Sequence, residues 1–457
     1  MENLDRDSID FGKTNIPRLF ASLFFPTLLE LVFGALLNVA DGIFVGKGVG
    51  SDALAAINIA APIFLIGTAV ALMFGSGVSV VAAVHLSRGN LKAANINVTQ
   101  AVTVPAVVML AVSLVIFFFA SPISYLFGGS SALEPMVVEY LHYVSPVPVL
   151  YVFFMVGAFV IRLDGSPKYA MYCNVIPALL NIVLDWLMVF PLGWGLMGAA
   201  TATTVSMAFG SCMTMDYLFR HPHQLRFYRP KFTRTSLWLT GRNVCYMMKL
   251  GFATFVGESA ITVMIIVGNY MFISRLHEAG VAAFSVCCYL FPLVFMFGNA
   301  VAQSQLPIIS YNKGLGDYAR VRSTFRISLV VTTLCALVMT LGGIFNCSPL
   351  LSLFLDKGTD AYRIAVGGFP YFSLSFVFFS LNIVIIGFYQ GMERARLSGT
   401  FMLLRGLVIL VPVFILLPVL LGDTGLWLSV PLSEALTFLT IVTVTLRKWK
   451  KLFLVTD

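Results

Sequence analysis

Residues 53–85 read ALAAINIAAPIFLIGTAVALMFGSGVSVVAAVH, a stretch that contains no Asp, Glu, Lys or Arg. A helix needs about 20 consecutive apolar residues to cross the hydrocarbon core of a bilayer, and this stretch exceeds that length. Its apolar residues are continuous instead of alternating, which excludes the strand of a membrane barrel. Similar runs fall at about 19–45, 98–120, 136–161, 170–192, 195–219, 250–274, 281–309, 327–346, 364–391, 398–421 and 425–446. With 53–85 they make twelve. The whole composition agrees: 59% of the 457 residues are hydrophobic and 11% charged, where soluble domains carry about 25% charged residues, and the mean hydropathy is +0.91. The fold class expected is an all-α polytopic membrane protein of twelve transmembrane helices, which excludes a soluble body, collagen, disorder and nucleic-acid binding.

The basic residues give the orientation. An even number of crossings places both termini on one side, and the segments on that side carry 24 of the 29 Lys and Arg residues, against 4 on the other. Positive charge concentrates in cytoplasmic loops, so both termini are expected in the cytoplasm of a cell (inner) membrane. The net charge of +8 is then a topology signal that also suits anionic lipid headgroups. The expected divisions are a cytoplasmic tail at 1–18, a first six-helix lobe at 19–219, a cytoplasmic loop at 220–249, a second lobe at 250–446 and a cytoplasmic tail at 447–457. Residues 1–18 lack an apolar core, so the first helix is expected to direct insertion without a cleavable signal.

The two halves echo each other. Gly77 and Gly298 each lead a long helix into a Gly-containing polar turn, at Leu86–Ala94 and Tyr311–Ala319. Gly195-Leu196-Met197-Gly198 and Gly425-Leu426-Trp427 each open a sixth helix. Two repeats with the same in/out sense are expected, pseudo-symmetric about an axis along the membrane normal, an arrangement that places substrate between the halves in many carriers.

Ionisable groups inside the runs are few: Glu30, Asp41, Asp185, Glu258, Arg405 and Glu434. Each costs at least about 2.5–3.5 kcal/mol to insert, so such residues face a cavity or a partner. On the first helix, Glu30, Asn38 and Asp41 form one polar stripe, and Pro26, one turn before Glu30, removes a backbone hydrogen bond and permits a bend. On the fifth, Asn181 and Asp185 share a face at i and i+4. The sixth carries Thr201, Thr203, Thr204 and Ser206. Asp41, Asp185 and Thr203 fall at a common depth, so a shared cavity needs a proton, a bound cation or a substrate charge to neutralise its acids, and no basic residue in the first six spans is expected to do so. Glu258, Arg405 and Glu434 mirror this on helices 7, 11 and 12, either as substrate-pathway polar groups or as a structural ion pair.

Other motifs carry no chemistry. Gly46–Ser51 is glycine-rich but lacks the order of a phosphate-binding loop and is expected on an outward turn. The five histidines and seven cysteines form no metal spacing. There is no triad and no expected cofactor or metal, beyond possible Na+ at Asp41 and Asp185. An enzyme is not expected.

Residues Asn38–Gly46, Leu54-Ala55-Ala56 and Pro62-Ile63-Phe64 resemble the first two helices of the multidrug and toxic compound extrusion (MATE) transporters, of the bacterial and archaeal type. Leu180–Asp185, Gly195–Thr203 and Gln305–Asn312 with Gly314 and Gly316 are similar to family motifs in matching helices. The resemblance implies a V-shaped, two-lobed antiporter that expels amphipathic, often cationic compounds in exchange for H+ or Na+. It implies a coupling-cation site at Asp41, Asn181, Asp185 and Thr203, and a bend of the first helix at Pro26. It implies no role for Glu30 or Glu258. The partners expected are an organic cation or amphipathic small molecule and the lipid bilayer, with the protein a monomer. The alternative is a lipid-linked saccharide or metabolite flippase of the same superfamily, which favours a cavity rich in Arg and Lys.

Overall fold

A computed structural model describes residues 9–127, 130–131, 133–229 and 233–452. Among them every regular element is a helix. The chain forms two compact units, residues 1–251 and 252–457. In the first, α1 (Ile16–Gly48), α2 (Ser51–Ser87) and α3 (Leu91–Phe118) are followed by the short α4 (Ala120–Leu126). Next, α5 (Glu134–Val144), α6 (Val147–Tyr151), a π-turn at Val152–Val156 and α7 (Gly157–Leu163) make one interrupted rod. Then come α8 (Pro167–Val189) and α9 (Gly195–Arg220). The chain leaves this unit within α10 (Arg234–Leu315), and α11 (Tyr318–Phe345), α12 (Cys347–Leu351), α13 (Asp360–Ser373) and α14 (Ser375–Gly391) follow. Last are α15 (Ala395–Leu403), a π-turn at Leu404–Val408 and α16 (Leu410–Leu452).

Among the described residues, nine helical stretches are long and apolar enough to cross a bilayer, and α13 with α14 form one further bent pair. Two of the nine count double. At 1.5 Å per residue the 82 residues of α10 would reach about 120 Å, four times a hydrocarbon core of about 30 Å. The helical geometry fails at His277 (φ 54°, ψ −154°) in α10 and at Gly422 (φ 61°, ψ −141°) in α16. Splitting both helices there gives the twelve segments that the hydropathy runs predict.

The repeat is written in the turns. Left-handed residues end helices because they release the chain from the α conformation. Among the described residues, eight of the ten with positive φ fall in pairs, Gly50 and His277, Gly89 and Gly316, Gly165 and Glu393, and Gly195 and Gly422, separated by 227 or 228 residues each time, while Gly193 and Gly358 stand outside the pattern. The next helices are capped alike. Asn90 accepts from the Ala93 amide at 3.1 Å and Asp317 from the Arg320 amide at 3.0 Å, which satisfies a donor that a helix start leaves open. Each six-helix unit is thus one copy of the same plan.

The two cores differ in filling. In the first unit small residues (Ala53, Ala56, Ala60, Ala199, Ala200) pack around Tyr140 and Leu141, and small side chains let membrane helices approach closely. In the second, Phe272, Phe284, Phe369, Phe372, Phe414 and Trp427 fill the space.

Two boundaries differ from the sequence reading. Of the expected loop 220–249, residues from Arg234 onward are already helical, the start of α10. That segment packs so closely on α2 that a Cβ at Gly77 would meet the Met247 carbonyl, and one at Gly251 the Met73 carbonyl. Its polar residues led the sequence to be read as loop, whereas Gln100 accepts from Asn243 at 3.1 Å and donates to Thr240 at 2.8 Å. The glycine-rich residues 46–48 belong to the last turn of α1 and not to a turn between helices.

Candidate functional site

In the first unit α1 packs along α8, and α8 along α9. This layering brings three of the four residues of the expected cation site onto adjacent helices facing one region: Asp41 from α1, and Asn181 and Asp185 from α8. Asp185 is completely buried and Asn181 nearly so, while Asp41 is half-buried. Their polar atoms are unsatisfied. Asp41 Oδ1, both Asp185 carboxylate oxygens and Asn181 Nδ2 have no hydrogen-bond partner in the structure. Buried polar groups are nearly always hydrogen-bonded, so these four unsatisfied atoms on α1 and α8 are exceptions. The two carboxylates lie within electrostatic reach of each other, and the buried Tyr140 of α5 is near both.

Thr203, the fourth expected residue, is on α9 and only half-buried. Its hydroxyl donates to the Ala199 carbonyl at 3.1 Å, so only its oxygen lone pairs are open to a ligand. Thr201 and Thr204 donate to the carbonyls of Met197 and Tyr143 at 2.7 and 2.8 Å. The three threonines of this run thus each have an acceptor, whereas the buried Ser206 hydroxyl has no hydrogen-bond partner. Asn38 lies in α1, and its side chain falls outside the described residues. Pro26 lies inside α1, which continues through it from Ile16 to Gly48.

Glu30 has a base of its own, unlike Asp41 and Asp185. Arg162 Nη2 donates to its two oxygens at 2.8 and 2.9 Å, and both side chains are buried. Arg162 is one of the basic residues that the topology places in the cytoplasmic segments, but its side chain is buried in the unit, with the guanidinium 5.0 Å from the Phe159 ring centroid. Glu30 shares a helix with Asp41 and not its electrostatic condition.

In the second unit Arg405 Nε donates to both oxygens of Glu434 at 2.9 and 3.1 Å. Asn382 donates to the same carboxylate at 2.7 Å and to the Glu434 carbonyl at 2.9 Å, and the guanidinium lies 4.0 Å from the Phe379 centroid. The pair and its partners are all buried, which makes this a closed, neutral network. Glu258 on α10 is half-buried and has neither ion pair nor hydrogen bond to a described residue. Of these five acids of the apolar runs, Asp41, Asp185 and Glu258 have no basic partner among the described residues.

Sequence reasoning missed Tyr140, Arg162 and Asn382. Tyr140 and Asn382 sit in apolar runs where a lone polar atom is unremarked, and only packing reveals that Asn382 bonds to Glu434 and that Tyr140 lies near Asp41 and Asp185. Among the described residues no three of His, Cys, Asp and Glu converge as a metal site.

Two copies of one six-helix plan, with carboxylates left unsatisfied inside an apolar body, define a multi-pass membrane carrier. The MatE family model matches the chain twice, over residues 26–187 and 254–416, once in each repeat. The chain belongs to the MatE family; it is a transporter, not an enzyme. It is similar to a FAD transporter of Shewanella oneidensis (24% identity over 428 residues, 92% of each chain). It is also similar to the multidrug export protein MepA of Staphylococcus saprophyticus (24% identity over 431 residues, 89% of each chain). Among solved structures, the MATE multidrug transporter DinF-BH in complex with R6G superposes with a TM-score of 0.87 at 26% identity, covering 99% of this chain and 100% of that one.

Proposed function

We propose that the protein is a secondary active antiporter that exports amphipathic, cationic organic compounds in exchange for H+ or Na+, by alternating access between its two halves. Both termini are assigned to the cytoplasm by the distribution of Lys and Arg. The observation that carries the reading is the set of unsatisfied oxygens on Asp41 and Asp185. Two bare carboxylates cannot share a buried site at acceptable cost, and no described base reaches them. An exchangeable cation resolves this: oxygen donors suit a proton or a hard cation such as Na+. In this reading Asp41 and Asp185 hold the cation, Asn181 and Thr203 complete its surroundings, and the cation shifts the carrier between states only through its different affinity for each.

Transport in proteoliposomes tests this, with a pH or sodium gradient imposed one at a time against a panel of organic cations. Substrate movement driven by one of the gradients supports the reading; movement indifferent to both overturns it.

The alternative is a metabolite or lipid-linked saccharide exporter, favoured by the similarity to a FAD transporter. An anionic cargo of that kind calls for cationic groups to receive it, and the buried arginines, Arg162 and Arg405, are each engaged by a glutamate. Adding FAD to the same panel separates the two, since selective FAD transport supports the alternative.

A further inference from the structure

A chain of polar contacts outside the cation site meets at the end of α7. The Glu30–Arg162 ion pair joins that end to α1. Two residues on, Asp164 is also buried. Its Oδ1 accepts from the amides of Gln224 and Leu225 at 2.8 and 2.7 Å, and its Oδ2 from the His223 amide at 2.6 Å. The Tyr217 hydroxyl lies 2.9 Å from both Asp164 Oδ2 and Ser166 Oγ, and His223 Nε2 is 3.1 Å from that Ser166 oxygen. Further along, Asn95 accepts from the Arg226 amide at 2.9 Å and Thr99 from the Tyr228 amide at 2.8 Å. Five amides of the segment after α9 are thus held by side chains of α3 and of the α7–α8 turn.

A connector that only joined two repeats would leave these amides to water, as surface loops do. Residues 223–228 are strapped down, and the strap starts two residues from the arginine that grips α1. The grip falls where α1 is weakest. Pro26 cannot donate to the Ser22 carbonyl, so the helix lacks one bond there, and Glu30 is the residue one turn beyond. Asp41 lies further along the same helix.

We infer that Arg162 and Asp164 are positioning residues that tie α1 to the connector between the repeats, so that a change of state at Asp41 alters the hold on residues 223–228. The tie rests on the proposed cation site for its trigger alone; the contacts that form it do not involve substrate.

Hydrogen–deuterium exchange of the full-length protein in lipid nanodiscs tests the tie, read at the peptide covering 221–228. Asp164→Asn removes the local acceptor, and exchange there should rise about tenfold or more. Glu30→Gln touches none of these amides, yet it should raise exchange at the same peptide several-fold. Asp41→Asn should change that peptide in the otherwise native protein and leave it unchanged when Glu30→Gln is also present. Arg162→Lys keeps the charge on a shorter side chain that reaches Glu30 less well, and is the milder probe with the same expected sign should Glu30→Gln fail to accumulate. Native exchange at 221–228 in both Glu30→Gln and Arg162→Lys, or simply additive effects of Asp41→Asn and Glu30→Gln, overturns the tie. A failure of gradient-driven transport in the native protein would count against the antiporter alone and leave these exchange differences standing.

Discussion

Asp41 and Asp185 differ from the other buried acids in what surrounds them. Glu30 and Glu434 each have an arginine at 2.8–2.9 Å, whereas Asp41 Oδ1 and both Asp185 oxygens have no donor. Replacing Asp41 by Asn removes the charge and keeps the shape. Asp41→Asn is therefore expected to abolish gradient-driven export while inserting at the native level, measured by drug resistance of expressing cells beside the amount of protein in their membranes. Undiminished resistance would remove Asp41 from the mechanism. Glu434 is the contrasting case. Glu434→Gln leaves Arg405 buried without its counter-charge, and breaking a buried pair from one side costs about 3–5 kcal/mol. Its melting temperature in detergent should fall sharply, and pairing Arg405→Met with Glu434→Leu should recover most of the loss. The sequence made all four acids legible as exceptions in apolar runs. Which were paired was not legible, because Arg162 is 132 residues from Glu30 and reads as a loop charge.

The elements were easier to read than their ends. Twelve apolar runs give twelve helical segments because hydropathy and length alone select a membrane helix. The start of α10 was missed because its polar residues face partners on α3, a tertiary fact. Gly77 and Gly251, by contrast, are where α2 and α10 touch backbone to backbone. Gly251→Val should cost about 1–3 kcal/mol or more by forcing these helices apart. Gly241→Ala, where nothing lies within 4 Å, should be neutral or slightly stabilising; thermal unfolding of the two variants checks the difference. The repeat also explains why a second cation site need not follow from the first. With the separation of 228 residues between the starts of the two family matches, Asp41 corresponds to Asn269, whose Oδ1 is likewise unpartnered. Asp185 corresponds to Val413, beside the fully buried Phe414. Asn269→Asp is therefore expected not to restore export to Asp41→Asn, because the aromatic core of the second unit supplies no second carboxylate. Restored export in the double variant would show that the halves are interchangeable.

At the scale of the whole molecule, one plan is used twice and kept in register by its turns, while polar chemistry has diverged between the copies. The first copy pairs Glu30 with Arg162; in the second, Glu258 stands at the place of Glu30 and Gln390 at that of Arg162, where Gln390 donates to Thr254 at 3.2 Å. The duplication was visible in the sequence as glycine turns and sixth-helix openings. Its chemical asymmetry was not, since it depends on which side chains meet after folding. With the proposed cation site in the first copy, linkage requires that a cation competing there with substrate be displaced reciprocally.

The most direct measurement is the affinity of the purified protein for a fluorescent organic cation, titrated at several pH values and sodium concentrations, in the native protein and in Asp41→Asn and Asp185→Asn. The account expects substrate affinity to fall as H+ or Na+ rises in the native protein, and to become insensitive to that cation in both variants. A dependence retained undiminished in both variants would contradict it.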